Sequence, residues 1–166
     1  MARQVWLLRH GEAEPHGTRA DEERRLTARG ERQARAAGAA LARLGVAFDV
    51  VLFSPKVRAR RTAELAAGEW SKAQRERLRA HDPLAGGFHA PEALAALSEV
   101  PGDGRVLLVG HEPDLSSLVG ELTGSGVDLK KGGVAAVRLE GVGGELAVLL
   151  RPRELALIAG VPTDGN

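Results

Sequence analysis

Apolar residues in this chain follow two rhythms. Three short segments, Val5–Leu8, Asp49–Phe53 and Arg105–Val109, apolar except for the leading Asp49 and Arg105, are too brief for helices and suit strands buried on both faces. Between them, apolar residues recur every three or four positions. Ala34, Ala37, Leu41 and Leu44 form one helical stripe, with Thr27 as its cap and Gly45 as its stop. Ser54-Pro55 predicts the start of a second helix, with Ser54 as N-cap and Pro55 in the first turn. Its stripe of Ala59, Thr62, Ala63 and Ala66 is small enough for close packing. A third helix begins at Pro113 or Asp114 and presents Leu115, Leu118, Val119 and Leu122 on one face.

The remaining segments are shorter. Pro91 opens a brief helix through Leu97, and residues 153–159 read as a last one. A short strand is expected near residues 76–80, followed by a Pro/Gly-containing loop over residues 82–89. Residues 134–139 and 146–150 read as an antiparallel hairpin around the glycines of 141–144. Residues 12–25, with Pro15 and Gly17, form a long polar loop of the kind that often serves function. Strands alternating with helices predict an α/β sandwich around a mostly parallel sheet, in one domain over residues 1–166.

Composition narrows the function. Twenty-three Lys and Arg stand against 22 Asp and Glu, so no broad basic surface for nucleic acid or membrane is expected. Aromatics make up 3%, too few for base-stacking platforms. Cysteine is absent, which excludes a disulfide scaffold, a thiolate zinc site and a Cys nucleophile. The five histidines contain no His-Glu-x-x-His pair, so a zinc site is not expected either. With no signal-peptide pattern and no long apolar run, the expected location is the cytoplasm.

Ligands of such sheets bind beyond the carboxyl ends of the strands. Three motifs fall at those ends: Arg9-His10-Gly11, the Ser54 to Ala63 segment containing Arg58, and Gly110-His111. Two arginines and two histidines so placed suit a phosphoryl group. Arginine forks match phosphate oxygens, helix N-termini add donors, and a neutral imidazole can attack phosphorus. Neighbouring cations should keep His10 unprotonated, and Gly11 should let the backbone turn tightly beside the ligand.

The Arg9-His10-Gly11 triplet, the Ser54-x-x-x-Arg58-Ala59-x-x-Thr62-Ala63 pattern and Gly110-His111 together resemble the histidine phosphatase superfamily. The segment Leu26-Thr27-x-x-Gly30-x-x-Gln33-Ala34 is a fourth match, so the resemblance runs from Val5 to about Leu122. It implies a phosphoglycerate mutase-like fold: a three-layer α/β sandwich, its mixed and mostly parallel sheet covered by helices on both faces. It implies His10 as nucleophile, and Arg9, Arg58 and His111 as ligands of the phosphoryl oxygens. Gly11 and His16 join them as candidate substrate contacts. No metal or other cofactor is implied.

Only about 35 residues separate the Arg58 helix from the third buried strand, which leaves little room for a lid. The chain is most similar to compact SixA-type phosphohistidine phosphatases, whose open site admits a phosphorylated protein side chain and releases inorganic phosphate. Two positions depart from larger relatives. His16 stands where those have an Asn, and the acid has no clear counterpart, Asp82 being the nearest candidate. An alkoxide leaving group needs an acid, whereas imidazole, with a pKa of about 6.5, departs more easily. The missing acid therefore favours phosphohistidine. The competing expectations are a phosphatase of small phosphorylated metabolites and a non-catalytic phosphate-binding module. Arg60, Arg61, Lys56, His81 and His89 read as surface residues, and Glu12 and Glu14 as loop or helix partners.

Overall fold

The computed structural model describes residues 2–141 and 143–164. Six strands form one sheet: β1 (Arg3–Arg9), β2 (Val50–Phe53), β3 (Leu78–Ala80), β4 (Arg105–Gly110), β5 (Val134–Glu140) and β6 (Gly143–Leu150). Their order is β3-β2-β4-β1-β5-β6. The first four of that order run parallel, and β5 and β6 add an antiparallel hairpin beside β1.

The continuous apolar runs are explained by burial on both faces. Val5 and Leu7 point to one face, and Trp6 and Leu8 to the other. On the first face lie α4 (Ala90–Leu97) and α5 (Asp114–Thr123), which contribute Ala93, Leu97, Leu115 and Leu118 to a leucine-rich core. On the second lie α1 (Ala28–Arg43), α2 (Val57–Ala67) and α6 (Pro152–Ala159), packed over Trp6, Phe48 and Trp70. This is the expected three-layer sandwich. The small side chains of α2 pack against the sheet as expected, and they also let α2 approach α1. A Cβ at Gly38 would sit 2.1 Å from the carbonyl oxygen of Ala66, so the two helices meet backbone to backbone.

Some elements differ from the expectation. The stretch after α2 contains a four-residue helix, α3 (Lys72–Arg75), whose Ser71 cap accepts from Gln74 N–H. The expected 82–89 loop begins with a 3-10 turn over Asp82–Ala85. Gly143 and Gly144 belong to β6 rather than to a turn, paired with Glu140 and Leu139 of β5. A Cβ on Gly144 would lie 2.2 Å from the Arg138 carbonyl oxygen. α4 packs into the sheet core. Among the described residues, no helix is long and apolar enough to cross a membrane.

Candidate active site

Backbone bonds gather the carboxyl ends of three parallel strands. His10 N–H donates to the Gly110 carbonyl at 3.1 Å, and Ser54 N–H to the Val109 carbonyl at 3.0 Å. This brings His10, Ser54 and His111 side by side at the top of β1, β2 and β4. The His10 and His111 ring centroids are 5.1 Å apart, tilted by 56°. Arg58, in the first turn of α2, is buried with them.

His10 has a defined tautomer. Its Nδ1 lies 2.7 Å from the Gly11 carbonyl oxygen, which can only accept, so Nδ1 carries the proton. In the neutral ring Nε2 then holds the lone pair. The ring is neutral over a wide range: burial pushes its pKa down to about 3, and His111, Arg58 and Arg9 push the same way.

His111 is held by a second account of protons. Its Nε2 lies 2.7 Å from the Ser54 hydroxyl oxygen, which also accepts the Lys56 N–H at 3.3 Å. Ser54 is fully buried, and its O–H needs an acceptor. His111 Nε2 supplies one, which leaves the ring proton on Nδ1. Burial, followed by the charges of Arg58 and Lys56, lowers the His111 pKa to about 3. This corrects the expected role of Ser54. It does not cap α2, which starts at Val57 with no side-chain cap, because its hydroxyl faces His111.

Three buried polar atoms at this edge have no partner: Arg9 Nε, Arg58 Nε and His111 Nδ1. Buried donors are almost always satisfied in folded proteins. Three orphans from neighbouring side chains make a donor set open to the acceptors of a ligand. An oxyanion with several lone pairs, such as a phosphoryl group, fits that donor set.

Gly11 is required for packing rather than for a tight turn. A Cβ there would lie 2.4 Å from the Gly30 carbonyl oxygen, and one on Gly30 would lie 1.9 Å from that of Glu12. The start of α1 thus presses directly on the chain after His10. The N–H of Gly11 donates to Thr62 Oγ1 at 3.1 Å, so it faces α2 and not the orphan donors. Thr62 in turn donates to the Arg58 carbonyl at 2.7 Å, tying the two motifs together.

Sequence reasoning missed Asp21. Its carboxylate pairs with Lys56 at 3.0 Å and with Arg58 Nη2 at 3.3 Å, and its carbonyl accepts from Arg58 Nη1 at 2.7 Å. Hydrogen bonding from Lys56, with Arg58 and Arg24 nearby, holds the carboxyl well below the usual range. It fixes the Arg58 fork and draws Lys56, expected at the surface, into a half-buried ion pair. The sequence places Asp21 in a polar loop with no periodicity, so nothing there signals the contact. His16 stays outside the cluster: its side chain is 85% exposed and lies 3.9 Å from Asp21. Asp82 is exposed at the start of its 3-10 turn. Arg60 and Arg61 are exposed as expected, as is His89, which bonds Glu121 at 2.7 Å. His81 is half-buried against Phe88. Glu12 accepts from Thr27 and Glu14 from Arg19, both as loop partners. Among the described residues, no group of three or more His, Cys, Asp or Glu is arranged to hold a metal ion.

Comparisons with known proteins agree with this fold. A model of the histidine phosphatase superfamily (branch 1) matches residues 5–82. A putative phosphohistidine phosphatase SixA from Nakamurella multipartitia superposes with a TM-score of 0.75 at 32% identity, over 92% of this chain and 97% of that one. The chain belongs to the histidine phosphatase superfamily. A solved protein histidine phosphatase SixA complexed with tungstate has a TM-score of 0.80 at 25% identity, over 92% of this chain and 99% of that one. An uncharacterized protein from Picosynechococcus sp. is 33% identical over 147 residues, 81% of this chain and 84% of its own length. Family membership and these neighbours support phosphatase activity. The family model ends before His111, so the fold, not the matched segment, brings that residue to the site.

Proposed function

We propose that the chain is a cytoplasmic phosphatase that removes phosphate from phosphohistidine in proteins, through a covalent intermediate on His10. The supporting observation is the His10 ring: buried, neutral, and with Nδ1–H committed to a carbonyl so that Nε2 is free to attack.

Nε2 attacks phosphorus in line with the substrate's N–P bond. That bond breaks, a new N–P bond forms on His10, and the substrate leaves as neutral imidazole from a ring protonated at its other nitrogen. Arg9, Arg58 and the Nδ1–H of His111 hold the phosphoryl oxygens as charge shifts between them. A water molecule then attacks phosphorus, the His10 N–P bond breaks, and dihydrogen phosphate departs with both water protons. His10 returns as the Nδ1–H tautomer.

This sequence needs no general acid, because one imidazole replaces another. An alkyl ester would need one. Asp21, which contacts Arg58, is kept ionised by Lys56 and cannot donate a proton near neutrality. The site is therefore biased toward leaving groups that depart unassisted.

A substrate panel tests the proposal: a phosphohistidine protein, free phosphohistidine, a phosphoserine peptide and a sugar phosphate, with and without EDTA. The expected result is a kcat/KM for phosphohistidine higher by about a hundredfold or more, the range a general acid contributes. Acid-labile phosphate should be trapped on His10, and EDTA should change nothing. Equal turnover of alkyl phosphates would overturn the substrate assignment. Failure to trap label on His10 in a rapidly quenched reaction would overturn the mechanism.

A further inference from the structure

Beside the orphan donors, on the side of Arg9, lies a cavity of about 470 Å³. Its wall includes Arg9, Arg29, Lys130, Lys131 and Arg151, opposed by the single carboxylate of Glu12. In the whole chain, cations and anions stand at 23 to 22. A five-to-one wall is a local concentration that overall charge does not produce.

Some of this charge is answered nearby. Lys130 pairs with Asp128 at 2.6 Å, Arg151 with Glu154 at 2.9 Å and Arg29 with Glu12 at 3.5 Å. Lys131 is exposed and has no ion pair among the described residues. Arg9 has no carboxylate partner there either, and its Nη1 donates to the Leu129 carbonyl at 2.9 Å.

The lysines are fastened to the strand that bears His10. Gly132 N–H lies 3.1 Å from both the Arg9 and His10 carbonyls, and Arg9 N–H donates to the Gly133 carbonyl at 3.1 Å. The backbone that carries Lys131 is thus held at a fixed offset from His10. Such fixed offsets are how remote binding energy orients a substrate.

We infer that this cavity is a second anion subsite, which takes acidic side chains flanking the phosphorylated residue of a protein substrate. The inference rests on the phosphatase reading, since it assumes that the phosphoryl group docks at His10. Two observations favour a protein segment over a small molecule. The cavity shares Arg29 and Pro152 with a larger one of about 620 Å³, which continues along α1 and α6 past Arg32 and Arg35. The joined track, whose larger half also carries apolar side chains and Glu69, is longer than one small substrate fills. Moreover, an irregular segment of this same chain already lays a carboxylate on that track: Asp164 accepts from Arg32 at 3.3 and 3.4 Å.

The test uses pairs of peptides that differ only in their flanks, Glu or Gln, each made with phosphohistidine and with phosphoserine. The readout is the ratio of kcat/KM for the Glu-flanked over the Gln-flanked member. For the intact protein at low salt the ratio should be about ten, the effect of a few exposed ion pairs, and should fall toward one as salt screens them. Lys131→Glu should bring the ratio to one or below. Lys131→Ala should give an intermediate value, and the melting temperature of each variant checks its fold. A ratio near one in the intact protein overturns the subsite. So does a ratio that survives Lys131→Glu, or small-phosphate turnover with no peptide turned over. A Glu preference among phosphoserine peptides with no turnover of phosphohistidine would keep the subsite and sink the phosphohistidine assignment.

Discussion

The parallel strands end differently at their two edges. At the amino edge, polar groups answer one another. The Gln4 side-chain oxygen accepts from Trp6 Nε1 at 2.8 Å and from Arg105 Nε at 2.9 Å, and Asp49 accepts the Arg105 N–H at 2.9 Å. At the carboxyl edge, Arg9, Arg58 and His111 each keep a buried donor without a partner. The same strands, with the same buried apolar runs, close one end with protein contacts and leave donors unpaired at the other. The difference teaches where stability and function separate. A satisfied edge holds the sheet together, whereas an unsatisfied edge costs stability until an anion arrives.

The sharpest way to break this comparison is to remove the nucleophile. His10→Ala should lower kcat by at least about a thousandfold and abolish acid-labile label in a quenched-flow trap. Retention of either would assign the chemistry elsewhere.

Next in size is His111→Ala. Loss of one transition-state donor should cost about a hundredfold in kcat. Tungstate should raise the melting temperature of the intact protein, and by clearly less in this variant. An unchanged tungstate shift would mean that Nδ1 does not face the anion.

Acid should distinguish the edges by stability. His10 and His111 have folded pKa values of about 3, below the 6.5 of the unfolded chain. Between those values the unfolded chain binds more protons, so stability falls as pH drops below 6.5. At pH 5 each histidine should account for about 2 kcal/mol of lost stability relative to neutral pH. Urea unfolding of the intact protein and of His10→Gln at both pH values measures this, and the variant should show the smaller loss. Equal losses would mean that His10 is not held neutral by the fold.

The smallest expected effect is at the amino edge. Gln4→Ala leaves Trp6 Nε1 and Arg105 Nε without their shared acceptor and should cost about 1 to 3 kcal/mol in urea unfolding. Turnover should stay within about twofold at temperatures where the protein is folded. A large loss of kcat would show that the two edges are coupled through the strands.

Much of the fold was legible because its signals are local. A strand buried on both faces must be apolar throughout, as Val5–Leu8 is. A helix against a sheet must repeat at three or four, as Ala34, Ala37 and Leu41 do. The glycines of the hairpin were misplaced because Gly143 and Gly144 answer to a neighbouring strand, not to a turn. In the site, His10, Arg9, Arg58 and His111 could be named because each ends a strand or opens a helix in a recognisable motif. Ser54 before Pro55 is a local signal for a helix cap, and only the neighbouring strand offers its hydroxyl a histidine instead. Asp21 and the Leu129–Gly133 loop gave no signal, since their contacts join residues far apart in the chain.

The sequence by itself determined the order of most strands and helices, placed Arg9, His10, Arg58 and His111 at strand ends and a helix start, and gave α2 side chains small enough for close packing. These depend on periodicity, residue chemistry and side-chain size. The tertiary structure alone decided which nitrogen of each histidine is free, which donors are left without partners, and which cations share a cavity with Arg9. Those properties belong to distances between separate segments, and hydrogen bonds and local fields are set by such distances rather than by spacing along the chain.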